Sequence, residues 1–322
     1  MRIALALLLF AVAGAHGQPA PAWQPTRAVE IVVPSGAGGG NDRNARGLHK
    51  IMHENKWLQN VTVLNKVGGG GTLANTYVNS HPGDGHYLVF ARQGLLSNHL
   101  LGRSTIGPND LTTLAMLTSE PSGLALRANN PTLKSLQDVI ERLKQDPASL
   151  TTSLGSTRAG SPHLMLGMFA KVAGIDARRM KTVTFSGGAE SMTQLMGGHI
   201  DMSAVSIDNA APHHKSGALR IIGVSSAQRL APLPDVPTFK EQGYDVQMSG
   251  FTIVMGPRGL SAAQTAYWES MMERISNTAE WKRILAADLQ DWDFRKAAPT
   301  REYLRQQYEM TRGLLADIGM TK

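Results

Sequence analysis

Short apolar runs of strand type alternate along this chain with stretches whose apolar residues return every three or four positions. Val29–Val33, Val61–Leu64 and Tyr87–Ala91 are runs of the first kind. Arg43–His53 is the clearest of the second, with Ala45, Leu48, Ile51 and Met52 on one helical face. Leu73–Asn79 starts another helix. Between run and helix stand turns rich in glycine and serine: Pro34–Asp42, Gly68–Thr72 and Gly94–Asn98. Such a turn leaves backbone N–H groups free at a helix N-terminus, where the helix dipole favours an anion.

Near Glu120-Pro121-Ser122 the pattern breaks, and Leu124–Leu126 is predicted to start a second unit. Ser135–Lys144 is helical, with Leu136, Val139, Ile140 and Leu143 at helical spacing, and Pro147 ends it. Strand Leu150–Leu154, turn Gly155–Pro162 and helix His163–Ala173 follow. Strand Thr182–Phe185 leads through Ser186-Gly187-Gly188 into a helix carrying Met192, Leu195 and Met196. Ile200–Val205 and Leu219–Val224 read as buried strands. Leu230–Pro237 is irregular, and Ala262–Ile275, Ala279–Ala287 and Arg301–Ile318 are helical. Alternating strand and helix predicts an α/β fold of parallel sheets with crossover helices. In such sheets ligands bind beyond the carboxyl ends of the strands, so the two sets of turns should converge on one cleft.

Length and composition fit this picture. With 322 residues and 42% hydrophobic content, the chain has room for two domains. Residues 1–17 have the form of a secretory signal peptide: Met1-Arg2, the apolar Ile3–Val12, then small residues, with cleavage expected after Ala15 or Gly17. The apolar stretch is too short to span a bilayer, which takes about 20 residues. Gln18–Pro25 reads as a flexible leader. The chain has no cysteine, which excludes thiol catalysis and thiolate metal sites. The net charge of +7 comes from scattered Lys and Arg without aromatic interleaving. That is a solvated surface with slight steering of anions, and no nucleic-acid partner is expected.

Enzyme motifs are missing. Gly38-Gly39-Gly40-Asn41 does not fit the dinucleotide fingerprint, and no Gly-Lys-Ser/Thr follows it. No Gly-x-Ser-x-Gly elbow is present. His49 and His53 have metal-ligand spacing but no third ligand, so neither metal nor cofactor is expected. His213-His214 reads as a helix surface, and Met165, Met168, Met192 and Met196 as core filler. Asp201 and Asp208, separated by a strand, could both face a cleft, and Asp208-Asn209 could equally cap a helix. In Gly155–His163, Ser161 is a candidate N-cap with Pro162 at the first helical position. Ser156, Thr157 and Arg158 lie upstream of that cap. Hydroxyls beside a guanidinium match a carboxylate, which arginine grips with two hydrogen bonds; an exposed surface arginine fits equally well.

Several of these segments together resemble the Bug family, the substrate-binding proteins of tripartite tricarboxylate transporters. The resemblance rests on Trp23-x-Pro25, Ile31–Pro34 with the glycine loop, Asp42 and Ala45-Arg46. It continues through Val61-x-Val63-x-Asn65, Gly68–Gly71 and Pro82-Gly83-Asp84-Gly85-x-Tyr87. Gly155-Ser156, His163-Leu164, Val183-x-x-Ser186-Gly187-Gly188, Gly197-Gly198-His199-x-Asp201 and Lys215-x-Gly217 extend it. Arg229 with Leu233–Thr238 completes it. The family's usual Phe-Pro and Pro/Ala-Gly-Gly opening is replaced here by Ser35–Asn41. Ser186-Gly187-Gly188 stands where Tyr-Lys-Gly is commoner, which leans toward the tricarboxylate-type branch.

The resemblance implies a type II-like, two-domain periplasmic binding protein, each domain a mainly parallel sheet flanked by helices, with the ligand cleft between. Domain 1 would comprise 18–120 and 246–322, and domain 2 would comprise 121–245. It implies a periplasmic, monomeric receptor, not an enzyme, that passes a small organic carboxylate to membrane permease subunits. An exported sensor accessory and an exported enzyme acting on an anion are the alternatives. The expected ligand contacts from the first turn are Ser35, Gly36, Gly38, Gly39, Gly40, Asn41 and Asp42. Ser97 and Asn98 come from the third turn, and Ser156, Thr157, Arg158 and Ser161 from the second unit. Ser186 and Asp208 complete the set.

Overall fold

The computed structural model describes residues 23–155, 157–185 and 187–321. Residues 1–17, expected to form a signal peptide, with the expected cleavage positions, Ser156 and Ser186 lie outside the described residues.

The first part of the chain builds β1 (Val29–Val33), α1 (Gly40–Glu54), β2 (Val61–Asn65), α2 (Thr72–Asn79), β3 (Tyr87–Ala91) and α3 (Gln93–Leu100). β1 pairs in parallel with β2 and β3, as crossover helices require. β4 (Leu111–Arg127) then runs for 17 residues. It leads into α4 (Leu136–Gln145), β5 (Thr151–Ser153), α5 (Ser161–Ala173), β6 (Lys181–Val183) and α6 (Gly188–Met196). Next come β7 (Met202–Ser206), α7 (Ile207–Lys215) and β8 (Leu219–Val224). β5 pairs in parallel with β6 and β7. The chain returns through β9 (Ser249–Pro257), α8 (Ala262–Ser276), α9 (Ala279–Ala287), β10 (Asp291–Lys296) and α10 (Ala297–Asp317).

The strands join in the order β2-β1-β3-β9-β4-β7-β5-β6, with β8 and β10 added on β4. β4 connects the two lobes. Leu111–Pro121 pairs antiparallel with β9, and Ser122–Arg127 with β7 and β8. Pro121, which has no N–H to donate, stands where β4 changes partners. The sequence pattern placed a break here and a new strand at Leu124; the strand instead continues through. β9 and β10 also escaped the pattern. These three strands bring the antiparallel pairing that makes the sheet mixed, alongside the expected parallel crossovers.

The apolar clusters sort by lobe. One joins β1, β3 and α1 to Trp268 and Trp281 on α8 and α9. Another gathers Phe169, Phe239 and the α4 face around β4 and β7. α4 illustrates how pattern becomes packing: its predicted face is buried, and Ser135 and Asp138 form a capping box at its start. α10 crosses between lobes. Leu304 belongs to the first lobe's core, while Leu314, Leu315 and Ile318 belong to the second's.

Trp23 is not part of a loose leader. Its ring packs edge-on against Tyr267, with centroids 5.3 Å apart, and against His86 at 5.7 Å. Aromatic burial of this kind anchors a segment that proline and alanine alone would leave free.

Candidate functional site

The cleft between the lobes holds a cavity of about 710 Å³. Its walls are the turns at which strands give way to helices. Ser35–Asn41 enters from the start of α1, Gly70-Gly71 from α2, and Gln93-Gly94 from α3. The second lobe contributes Thr157–Pro162 at α5, Gly187–Ala189 at α6, and Ser206, Asp208 and Asn209 at α7.

At α1, α2, α3, α5, α6 and α7 the residue before the first turn supplies no side-chain cap. The contrast is with α4, α8 and α9, which start away from the cavity. There Ser135, Ser261 and Thr278 each accept a backbone N–H. α10 also starts away from the cavity, without a cap from Lys296, and there the Ala297 N–H donates to Glu269 at 2.8 Å. A helix start without a side-chain cap keeps N–H groups available to another acceptor, and the dipole favours a negative one.

The first turn is held open from beneath. Gly38 has φ of 78°, a left-handed conformation suited to glycine. Its N–H donates to Asp42 Oδ2 at 2.9 Å, where Arg46 Nε also donates. Asn65 Nδ2 donates to Asp42 Oδ1 and to the Ser35 carbonyl. Burial pushes the Asp42 carboxyl up, but the bonds from Arg46, Gly38 and Asn65 outweigh it and hold it at about 2. Asp42 therefore lies under the loop, while Ser35, Gly36, Gly38, Gly39, Gly40 and Asn41 line the cavity.

Ser97 and Asn98 line it too, and both are engaged within the protein. Asn98 Nδ2 donates to the Gly69 carbonyl at 2.7 Å, fixing the glycine turn before α2. Ser97 Oγ donates to the Ala159 carbonyl at 2.7 Å. Gly94 is required by a close approach: a Cβ there would lie 2.0 Å from the Gly70 carbonyl oxygen.

In the second lobe Thr157, Arg158 and Ser161 line the cavity. The N-cap of α5 is Gly160, with Ser161 and Pro162 as its first two residues, one position off the sequence expectation. With Ser161 already helical, its hydroxyl is not spent as a cap. The Arg158 guanidinium makes a long 3.4 Å bond to the Thr182 carbonyl. His163 accepts the Ala159 N–H on Nδ1 at 3.0 Å. Burial, with Arg158 nearby, pushes its imidazole down to about 4, so it is neutral at pH 7.

The sequence reading missed a polar cluster on the cavity wall. Arg92 pairs with Glu120 and donates to Asn41 Oδ1 at 2.7 Å. Thr252 Oγ1 donates to Glu120 Oε1 at 3.3 Å. Gln93, Gln290 and Arg43 also line the wall, and Arg43 is clamped by Asp288 and the Gly38 carbonyl. The glycine turn at Gly68–Thr72 was legible, whereas Gly94–Asn98, expected as a turn, is helical and belongs to α3. Arg92, just after β3, and Glu120 on β4 meet only because β9 pairs with both strands.

Asp208 faces the cavity, but Asp201 does not. The Asp201 carboxylate accepts the Thr151 N–H at 2.7 Å. Ser206, not Asp208, precedes α7. His214 is half-buried rather than on the surface, bonding Asp235 and accepting the Ile221 N–H. Among the described residues no group of three or more His, Asp and Glu is placed to hold a metal ion, and no helix is long and apolar enough to cross a membrane.

These features define a solute-binding receptor: two lobes, a large polar cleft and helix starts turned inward. The sequence model of the tripartite tricarboxylate transporter family receptors matches residues 45–319, and the chain belongs to that family, whose members are receptors and not enzymes. Among its relatives, protein BugT of Bordetella pertussis is 26% identical over 262 residues, covering 78% of this chain and 77% of BugT. Two solved structures share the fold. MatC of Rhodopseudomonas palustris, solved with bound malate, is 24% identical with a TM-score of 0.77, over 91% of this chain and all (100%) of MatC. A second R. palustris protein, solved with adipate, is 22% identical with a TM-score of 0.81, over 92% and 98% of the two chains.

Proposed function

We propose that this receptor works in the periplasm, captures a small carboxylate in the interlobe cleft, and delivers it to permease subunits of a tripartite tricarboxylate transporter. The observation that carries the ligand class is the set of helix starts without side-chain caps around the cavity, α1, α2 and α3 from one lobe and α5, α6 and α7 from the other. Each offers backbone donors where negative charge is favoured. Arg158 adds a guanidinium able to take a carboxylate bidentately. Malate and adipate in the two R. palustris structures are carboxylates of the size such a cavity takes.

In this reading Ser35–Asn41, Ser97, Asn98, Thr157, Arg158, Ser161 and Asp208 touch the ligand, and Ser156 and Ser186 are proposed as further contacts. Domains 18–120 with 246–322, and 121–245, close on it about the strands β4 and β9. The protein acts as a monomer, and residues 1–17 direct export and are removed. The test is a thermal-shift screen of di- and tricarboxylates, aromatic acids and amino acids, followed by calorimetric titration of the hits. Saturable binding of a carboxylate without turnover is expected. A protein that binds none of them, or that converts one, would sink the reading.

A further inference from the structure

An acid stands in this wall of donors. Asp208 lines the cavity beside Gly40: a Cβ placed on Gly40 would lie 3.9 Å from Asp208 Oδ2 and 3.5 Å from Gln290 Nε2. The bonded neighbour of its carboxylate is Asn209, whose Nδ2 donates to Oδ1 at 2.8 Å. The two cations on this side are committed elsewhere. Arg92 pairs with Glu120, and Arg43 holds Asp288 through Nε at 2.8 and 2.9 Å.

Counting charges here, Asp208, Glu120 and Asp288 face Arg92 and Arg43, which leaves one negative charge in excess. The wall around Arg158 is different. There Arg158 stands with Thr157, Asn98 and Gly70, and a Cβ on Gly70 would lie 3.0 Å from Asn98 and 3.6 Å from Thr157. The cavity wall thus carries an acid at Asp208, with Glu120 near it, and a cation at Arg158, on separate turns. A second acceptor lines the same wall as Arg92. Gln93 is 3% exposed, its Nε2 bonds Thr311, and its buried Oε1 has no donor.

We infer that Asp208 is a specificity-determining residue: the cleft selects a carboxylate that also carries an ammonium group, with the ammonium at Asp208 and a carboxylate at Arg158. A ligand bearing only carboxylates would bring a second negative charge against Asp208 and Glu120. An ammonium would supply the missing counter-charge and a donor in one group. The state of Asp208 without ligand agrees. Burial, together with Glu120, pushes its carboxyl up to about 6, although the start of α7, Arg92 and Arg43 all favour the anion. An acid kept under that strain is stabilised by an incoming cation.

This inference rests on the carboxylate reading, and the experiment separates the two. Calorimetric titration compares ligands matched in length: aspartate against succinate, and glutamate against glutarate, with malate as the hydroxyl counterpart. Wild-type protein should bind the amino member of a pair at least about tenfold more tightly, with malate between. Asp208→Asn keeps the size and removes the charge. It should weaken the amino member about tenfold or more and leave the plain diacid unchanged or tighter, so the preference collapses. If Asp208 only supports α7, the variant lowers the melting temperature and shifts both members equally, which overturns the inference. It is also overturned if a plain diacid or any other carboxylate without an ammonium group is captured while no amino member binds, and the carboxylate reading then stands. If no carboxylate binds at all, both fall.

Discussion

Ser97 Oγ donates to the carbonyl oxygen of Ala159 at 2.7 Å, and this bond ties the first lobe to the second at the edge of the cavity. Both residues are buried, at 1% exposure each. Ala159 is also one of the few non-glycine residues with positive φ, at 63°. Its N–H is taken by His163 and its carbonyl by Ser97, so an unfavourable backbone state is held from both sides.

Ser97→Ala should therefore leave a buried carbonyl without a donor. The expected loss is about 1–3 kcal/mol of stability, the desolvation cost of an unpaired polar group. Urea unfolding measures it. Ligand affinity should fall with it, because the turn bearing Arg158 loses its fixed position. Unchanged stability would mean that water replaces the hydroxyl.

Gly94→Ala tests the close approach of α3 to the glycine turn before α2. With a Cβ 2.0 Å from the Gly70 carbonyl oxygen, backbone must move. A destabilisation of about 3 kcal/mol is expected, the upper end for overpacking. Gly102→Ala would be strained by its φ of 67° but meets nothing within 4 Å, so it should cost less. Equal losses in the two variants would contradict the packing argument.

His163 and Asp208 impose opposite pH dependences. The imidazole is held at about 4, below its ordinary 6.5. Its contribution is present above pH 6.5 and is lost as pH falls toward 4, by about 3 kcal/mol. The Asp208 carboxyl is held at about 6, above its ordinary 3.8. Its contribution is full below 3.8 and is lost as pH rises through 6. Over pH 4–6.5 the two oppose one another. His163→Asn should make the protein gain stability on acidification relative to wild type, and Asp208→Asn should make it lose stability faster. Denaturation midpoints at pH 7 and pH 4.5 report both signs, and parallel curves for the three proteins would remove the assignment.

Arg158→Ala should weaken carboxylate binding by at least about tenfold, equivalent to ~1.4 kcal/mol. Arg158→Lys should recover part of it, since an ammonium lacks the planar fork. Arg142 lies on the exposed side of α4, away from the cleft, and Arg142→Ala should leave affinity unchanged. Calorimetry showing full affinity for Arg158→Ala would put that side chain in solvent when the ligand is bound.

Local order was legible wherever one segment carries its own cause. Ala45, Leu48, Ile51 and Met52 share a face because helical period places them there, and all four are buried. The Gly38 and Gly68–Gly71 turns announce themselves because glycine alone takes their backbone angles cheaply. The family resemblance brought the cleft and its turn residues into view, since those motifs sit on the same turns.

The tertiary structure alone decided the rest. Glu120-Pro121-Ser122 has the local look of a boundary, yet β4 runs through it because β9, β7 and β8 supply partners from far along the chain. Strand identity in a mixed sheet is a property of neighbours, which local periodicity does not encode. The polar cluster at Arg92 is of the same kind. Arg92, Asn41, Glu120 and Thr252 come from four separate segments, and their charges acquire meaning only at hydrogen-bond distance. The sequence determined which turns can face an anion; the packing of the lobes decided which acids and bases stand beside them.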